Sequence, residues 1–147
     1  MGSLRDKLII GFLFTLSLVG LFDASYLTYA HYTKSSIACV LAEGCDIVTP
    51  SPYAEIYGVP LAVFGIVFYL TVLMVTCLYL RYRDRRSLFV LVGVTSIGFL
   101  ASVYFVYLQL FIILAICTYC MVSAATTTLL TFLSLIALSK PSEYLIS

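Results

Sequence analysis

Residues 87–139 read SLFVLVGVTSIGFLASVYFVYLQLFIILAICTYCMVSAATTTLLTFLSLIALS, 53 positions without one formally charged side chain. One helix crosses the hydrocarbon core of a bilayer with about 20 residues. The stretch is too long for one crossing and suits two crossings with a short turn between them. Length alone demands that turn, because no Gly or Pro marks it. Earlier in the chain, Ile56 to Leu80 carries no charge, and Leu8 to Thr33 carries only Asp23, with His31 near its end. Four membrane helices are therefore expected, at about 8–30, 59–80, 88–110 and 118–139.

Composition agrees. The chain has 147 residues, 63% hydrophobic and 10% charged, with a mean hydropathy of +1.11, whereas soluble domains carry roughly 25% charged residues. So much apolar side chain cannot be covered in a soluble domain this small. A net charge of +1 gives no basic footprint for nucleic acid, and the absence of polar low-complexity tracts argues against disorder. The expected fold class is an all-α integral membrane protein: one four-transmembrane-helix bundle over residues 1–147, lying in the lipid bilayer. Arg5 and Lys7 before an apolar run resemble a signal peptide. Apolar and aromatic residues continue past Asp23 through Tyr26, Leu27 and Tyr29, so the first span is expected to stay.

Lys and Arg in short loops set orientation. Arg5, Lys7, the Arg81–Arg86 cluster and Lys140 fall on one side, and Lys34 alone falls on the other. The expected location is the plasma membrane, multi-pass, with both termini cytoplasmic; in a eukaryote the same topology would suit the ER membrane. The 31–58 loop and the turn between the third and fourth helices then face outward.

That topology sorts the cysteines. Cys39 and Cys45 lie in the outer loop, and Cys117 and Cys120 form Cys-Thr-Tyr-Cys where the fourth helix begins. Cys77, alone in the second helix, reads as a small apolar core residue. Residues i and i+3 share a helix face, and thiols at a helix N-terminus ionise more readily. Such a pair is suited to thiol–disulfide exchange, with the 39/45 pair as a mobile donor. Spacing alone leaves two other readings open: two inert structural disulfides, or a zinc site, although Cys-x5-Cys is wide for zinc.

Cys39, Gly44-Cys45-Asp46, Ser51, Gly58-Val59-Pro60-Leu61-Ala62-Val63-Phe64-Gly65 and Cys117-Thr118-Tyr119-Cys120, in this order, resemble the vitamin K epoxide reductase family, its bacterial and archaeal members especially, over about residues 10–139. The resemblance implies a four-helix bundle around a membrane quinone, of ubiquinone or menaquinone type, as electron acceptor. It further implies that a thioredoxin-fold (DsbA-like) protein delivers electrons to Cys39, that Cys45 passes them to Cys117, and that the Cys117–Cys120 pair reduces the quinone with Cys120 nearest the ring. The partner is expected to be a separate protein, since no thioredoxin-like domain is fused in this sequence. Ser51 matches the family's loop Ser/Thr. Cys120, Phe64, Gln109 and Tyr119 are the expected quinone contacts, and no metal is expected. Two departures from animal members stand out: Ala124 occupies the position of an aromatic residue four places after the second helix cysteine, and Pro60-Leu61-Ala62 stands where a polar amide is found. Vitamin K epoxide reduction is therefore not carried over. A DsbB-type quinone reductase has equivalent chemistry but the reverse order of its cysteine pairs.

Other residues have structural readings beside functional ones. Ser51-Pro52 suits an N-cap and first helical position, with 52–57 a short helix over the outer mouth of the bundle. Asp23, the one formal charge within a span, is a functional candidate by default: a proton relay, a partner of a helix terminus, or a residue facing a wet cavity. Gln109 either donates to a quinone carbonyl or bridges helices. The small residues Ala124–Thr128 favour close packing. A different class of function, a small transporter or scaffold with structural external disulfides, also fits four crossings and external cysteines. Relay cysteines, unlike structural ones, should be trapped as mixed disulfides when one member is replaced.

Overall fold

The computed structural model describes residues 4–33 and 51–139. Four helices long and apolar enough to cross a membrane dominate it. Helix α1 spans Leu4–Thr33, α2 Leu61–Tyr82, α3 Arg85–Tyr107 and α4 Thr118–Ser139. Helix α1 packs on α2 and α4, and α3 packs on α2 and α4, closing a four-cornered bundle. The chain is an all-α, multi-pass membrane bundle.

The helices depart from the sequence-based limits at informative places. Helix α1 starts four residues earlier than expected. Arg83, in the left-handed region at φ 50°, ends α2 by donating its N–H to the Tyr79 carbonyl at 2.8 Å. Asp84 then caps α3, its carboxylate accepting the Arg86 N–H at 3.2 Å, so the Arg-rich link between α2 and α3 is only two residues long. After Tyr107 the backbone runs on as a π-helical turn, Leu108–Ile113. The short helix over the mouth is a single 3-10 turn, Pro52–Ala54, after Ser51. Residues beyond it form a hairpin instead of more helix: strand β1, Glu55–Ile56, pairs antiparallel with β2, Val59–Pro60. Tyr57 and Gly58 both take positive φ, the requirement of the tight turn whose twist matches a hairpin.

The interior mixes apolar and polar side chains. Leu13, Tyr69, Val72, Leu91 and Leu130 form the main cluster, and Ser17, Thr76, Thr95, Thr131 and Ser134 are buried with them. Phe12, Phe22, Leu100 and Phe132 point outward, where a bilayer solvates them at no cost. Lipid tails are as apolar as Leu, so close packing and hydrogen bonds, not burial from water, hold such helices together. Thr95 Oγ1 meets Ser134 Oγ at 3.0 Å, and Thr131 Oγ1 donates to the Thr95 carbonyl at 2.9 Å, joining α3 to α4. Cys77 is exposed on the outer surface of α2, not in the core as its isolation in sequence suggested; Val75 and Thr76 take the inward positions there.

Glycine decides the α1–α2 contact. A Cβ at Gly20 would overlap the Tyr69 ring, whereas one at Gly11 meets nothing within 4 Å. Gly20→Ala is expected to destabilise the protein by about 1–3 kcal/mol through overpacking, and Gly11→Ala to be neutral or slightly stabilising. Thermal unfolding in detergent checks this; equal shifts in the two variants would contradict it.

Candidate functional site

The site begins where α3 ends. Leu114, at φ 56°, pays about 1–2 kcal/mol for a left-handed conformation that would normally fall to Gly. Three hydrogen bonds to Gln109 hold the turn. Its carbonyl accepts the N–H groups of Leu114 and Ala115, and its side-chain Oε1 accepts the Cys117 N–H at 3.0 Å. Only the oxygen of an amide can accept from an N–H, so this bond fixes the orientation of the buried Gln109 side chain and leaves its NH2 group for other partners.

Cys117 is the N-cap of α4. Its carbonyl accepts the Met121 N–H at 3.0 Å, and its Sγ accepts the Cys120 N–H at 3.4 Å, as a capping oxygen would at the third helical position. Cys117 and Cys120 are both free thiols, the first buried and the second half-buried. A hydrogen bond from the Cys120 thiol, with support from the Cys120 and Tyr119 N–H groups, holds the Cys117 thiol below its ordinary range, against burial and the nearby Asp23 charge. A thiolate is the species that attacks disulfides, and the turn favours that form at Cys117.

Cys120 faces a cavity of about 360 Å³ between the helices and beneath the 51–54 segment. Its walls are mostly apolar, with Leu27, Phe64, Phe68, Phe105 and Ile113 among them, and Asp23, Ser51, Gln109, Ser123 and Thr127 supply polar groups. Of the residues expected from sequence, Ser51, Phe64, Gln109 and Cys120 line this space; Cys117 lies beside it. Tyr119 does not. One position from Cys120, its ring turns to Tyr26 of α1, with centroids 5.2 Å apart, because successive helical residues point about 100° apart. Ser51 sits at the N-cap position of the 3-10 turn, but the bond it makes there is through its carbonyl, from the Ala54 N–H at 3.0 Å. Cys39 and Cys45 lie outside the described residues.

Several lining residues had no signal in the sequence. Tyr69 crosses from α2 to bond Ser123 Oγ at 2.8 Å and Thr127 Oγ1 at 3.2 Å. His31 Nε2 pairs with Glu55 Oε1 at 3.2 Å, tying the hairpin to the end of α1 at the cavity mouth. Ala124 lines the cavity, as do Pro60, Leu61 and Ala62. Both departures from animal members therefore fall on the cavity wall, and Gln109 is the one amide among its described lining residues.

The sequence profile of the vitamin K epoxide reductase family matches residues 12–135. The thiol-disulfide oxidoreductase LTO1 of Arabidopsis thaliana is 37% identical over 120 residues, covering 76% of this chain and 32% of the plant protein. The chain thus spans about one third of that relative's length.

Two outcomes test the site. With the Cys117 thiol held low, labelling of Cys117, resolved by mass spectrometry, should reach half its maximal rate below about pH 8.5, the value of a free thiol. Cys120→Ala should move that midpoint upward; an unmoved midpoint would contradict the assigned cause. Gln109→Leu leaves the Cys117 N–H buried without its acceptor, a loss of about 1–3 kcal/mol in thermal unfolding, whereas Gln109→Glu keeps an acceptor and most of the stability. Wild-type stability in Gln109→Leu would refute that role.

Proposed function

Because the chain belongs to the vitamin K epoxide reductase family, we propose that it is a membrane thiol–disulfide oxidoreductase that takes electrons from a thioredoxin-fold protein and gives them to a membrane quinone. The observation that carries this reading is the Cys117–Cys120 pair: one sulfur activated at a helix N-terminus, the other on the wall of an apolar cavity.

The cavity fits a quinone head group. Ligand pockets of about 300–1,000 Å³ are mostly apolar with a few fixed polar groups, and this one has Phe64, Phe68 and Phe105 to flank a flat ring and the Gln109 NH2 group to donate to a carbonyl. Bound there, a quinone supplies an acceptor of two electrons and two protons. The chain's own part is thiol chemistry. Cys39 and Cys45, in the loop ahead of Ser51, exchange with the partner and then with Cys117. The Cys117 thiolate attacks the Cys45 sulfur of the oxidised loop pair or, in the physiological direction, its disulfide with Cys120 is opened by Cys45. Closing the Cys117–Cys120 bond again releases the electron pair at Cys120, on the cavity side. Ser51 and the 3-10 turn cover the mouth and limit water. The Lys and Arg asymmetry supports an orientation with the cysteine pairs on the extracytoplasmic face and both termini cytoplasmic.

Purified protein in detergent, supplied with a reduced thioredoxin-fold donor and a short-chain quinone, tests the reading. Cys120→Ala should abolish quinone reduction; Cys39→Ala should lose the protein donor yet retain turnover with a small dithiol. Absence of quinone reduction by wild-type protein with several quinones and donors would overturn the proposal.

A further inference from the structure

Asp23 lies within the first membrane-spanning helix, α1, ten residues before its end, roughly 15 Å at helical rise. It is the one carboxyl among the described residues that line the cavity, a space it shares with Cys120. Its Oδ2 is buried without a hydrogen-bond partner among the described residues. The groups around it are engaged elsewhere: the Tyr69 hydroxyl with Ser123 and Thr127, Gln109 Oε1 with the Cys117 N–H, and His31 with Glu55. An intramembrane carboxyl is costly and, where it serves structure, is paired. Asp23 has the cavity it shares with Cys120 instead of a partner.

We infer that Asp23 is the proton-transfer group of the cavity, taking the proton of the Cys120 thiol and returning it to an oxygen of the acceptor quinone. This inference rests on the quinone reading above. The atoms balance. Starting from the Cys117 thiolate and the Cys120 thiol, forming the S–S bond breaks one S–H bond and yields two electrons and one proton; the second proton is the one the Cys117 thiol gives up when it ionises. The electron pair goes to the quinone, whose two oxygens end as hydroxyls. Asp23 carries the Cys120 proton across, then the Cys117 proton in a second transfer, and finishes in the state in which it began. No further oxidant or proton source is required. The other titratable groups facing this region are Tyr26 and His31 on α1, Tyr53 in the 3-10 turn, Tyr69 on α2, Cys117, Tyr119 and Cys120 at the start of α4, and Glu55 on the hairpin, which is held by His31.

The test compares wild type with Asp23→Asn, using a small dithiol and a short-chain benzoquinone. A positioned proton-transfer group contributes about a hundredfold or more to rate, so kcat should fall about that much with the quinone KM unchanged, and the pH–rate profile should lose one limb. Infrared difference spectra between the disulfide and dithiol forms, recorded without quinone, should show a carboxyl band in wild type that is missing in Asp23→Asn. If Asp23→Asn does not fold, Asp23→Glu should keep turnover with a displaced pH profile; an undisplaced profile overturns the inference. Wild-type turnover and pH profile in Asp23→Asn, or a carboxyl band that persists in it, overturn the inference and leave the quinone reading intact. No quinone reduction by wild type overturns both.

Discussion

The hydrogen bond from the Cys117 N–H to the Gln109 side chain is the contact on which the site depends. Within a bilayer, backbone groups released by breaking a helix must find partners inside the protein. Between Ile113 and Thr118 the helical path is broken, and Gln109 gathers three of the freed N–H groups, two on its carbonyl and one on its amide oxygen. The break sets the start of α4, and the start of α4 sets the sulfurs. Cys117 becomes its buried cap, and Cys120 turns into the cavity.

The rest of the bundle makes room for that cavity. Small residues let helices approach where contact is needed: Gly20 under Tyr69, Gly65 against Ala24, and Gly98 beneath Phe68. Gly65, Gly98, Ala101 and Ala124 also line the cavity, so the side chains that would fill it are short. Phe64, Phe68 and Phe105 bound the space. Buried Ser and Thr side chains return hydrogen bonds to their own helices, as Ser17 does to the Leu13 carbonyl and Thr76 to the Val72 carbonyl, each at 2.7 Å; this satisfies polar atoms without a bulky interior.

Hydropathy and charge gaps made the four crossings legible, because a bilayer demands long uncharged runs. The Cys-x-x-Cys spacing made the Cys117–Cys120 pair legible, and the order of motifs made the family so. Other features depend on geometry that no residue type announces. A leucine, not a glycine, takes the left-handed position after α3. Tyr119 sits beside a cavity cysteine in sequence but points to Tyr26. Cys77 reads as core, yet lies on the outside of α2. The 52–57 helix yields to a hairpin because Tyr57-Gly58 adopts a tight turn, and the His31–Glu55 pair joins segments 24 residues apart. Asp23 was conspicuous from its charge alone, but only the cavity supplies its chemical context.

Whether a quinone sits against Cys120 can be read by photoaffinity labelling with an azido-quinone. Peptide mapping of protein in detergent should place the label on cavity residues of α2 and α3, such as Phe64, Phe68 and Phe105, and excess unmodified quinone should displace it. Label confined to outward-facing residues such as Phe12 and Phe132, undiminished by competitor, would mean that no quinone binds beside Cys120.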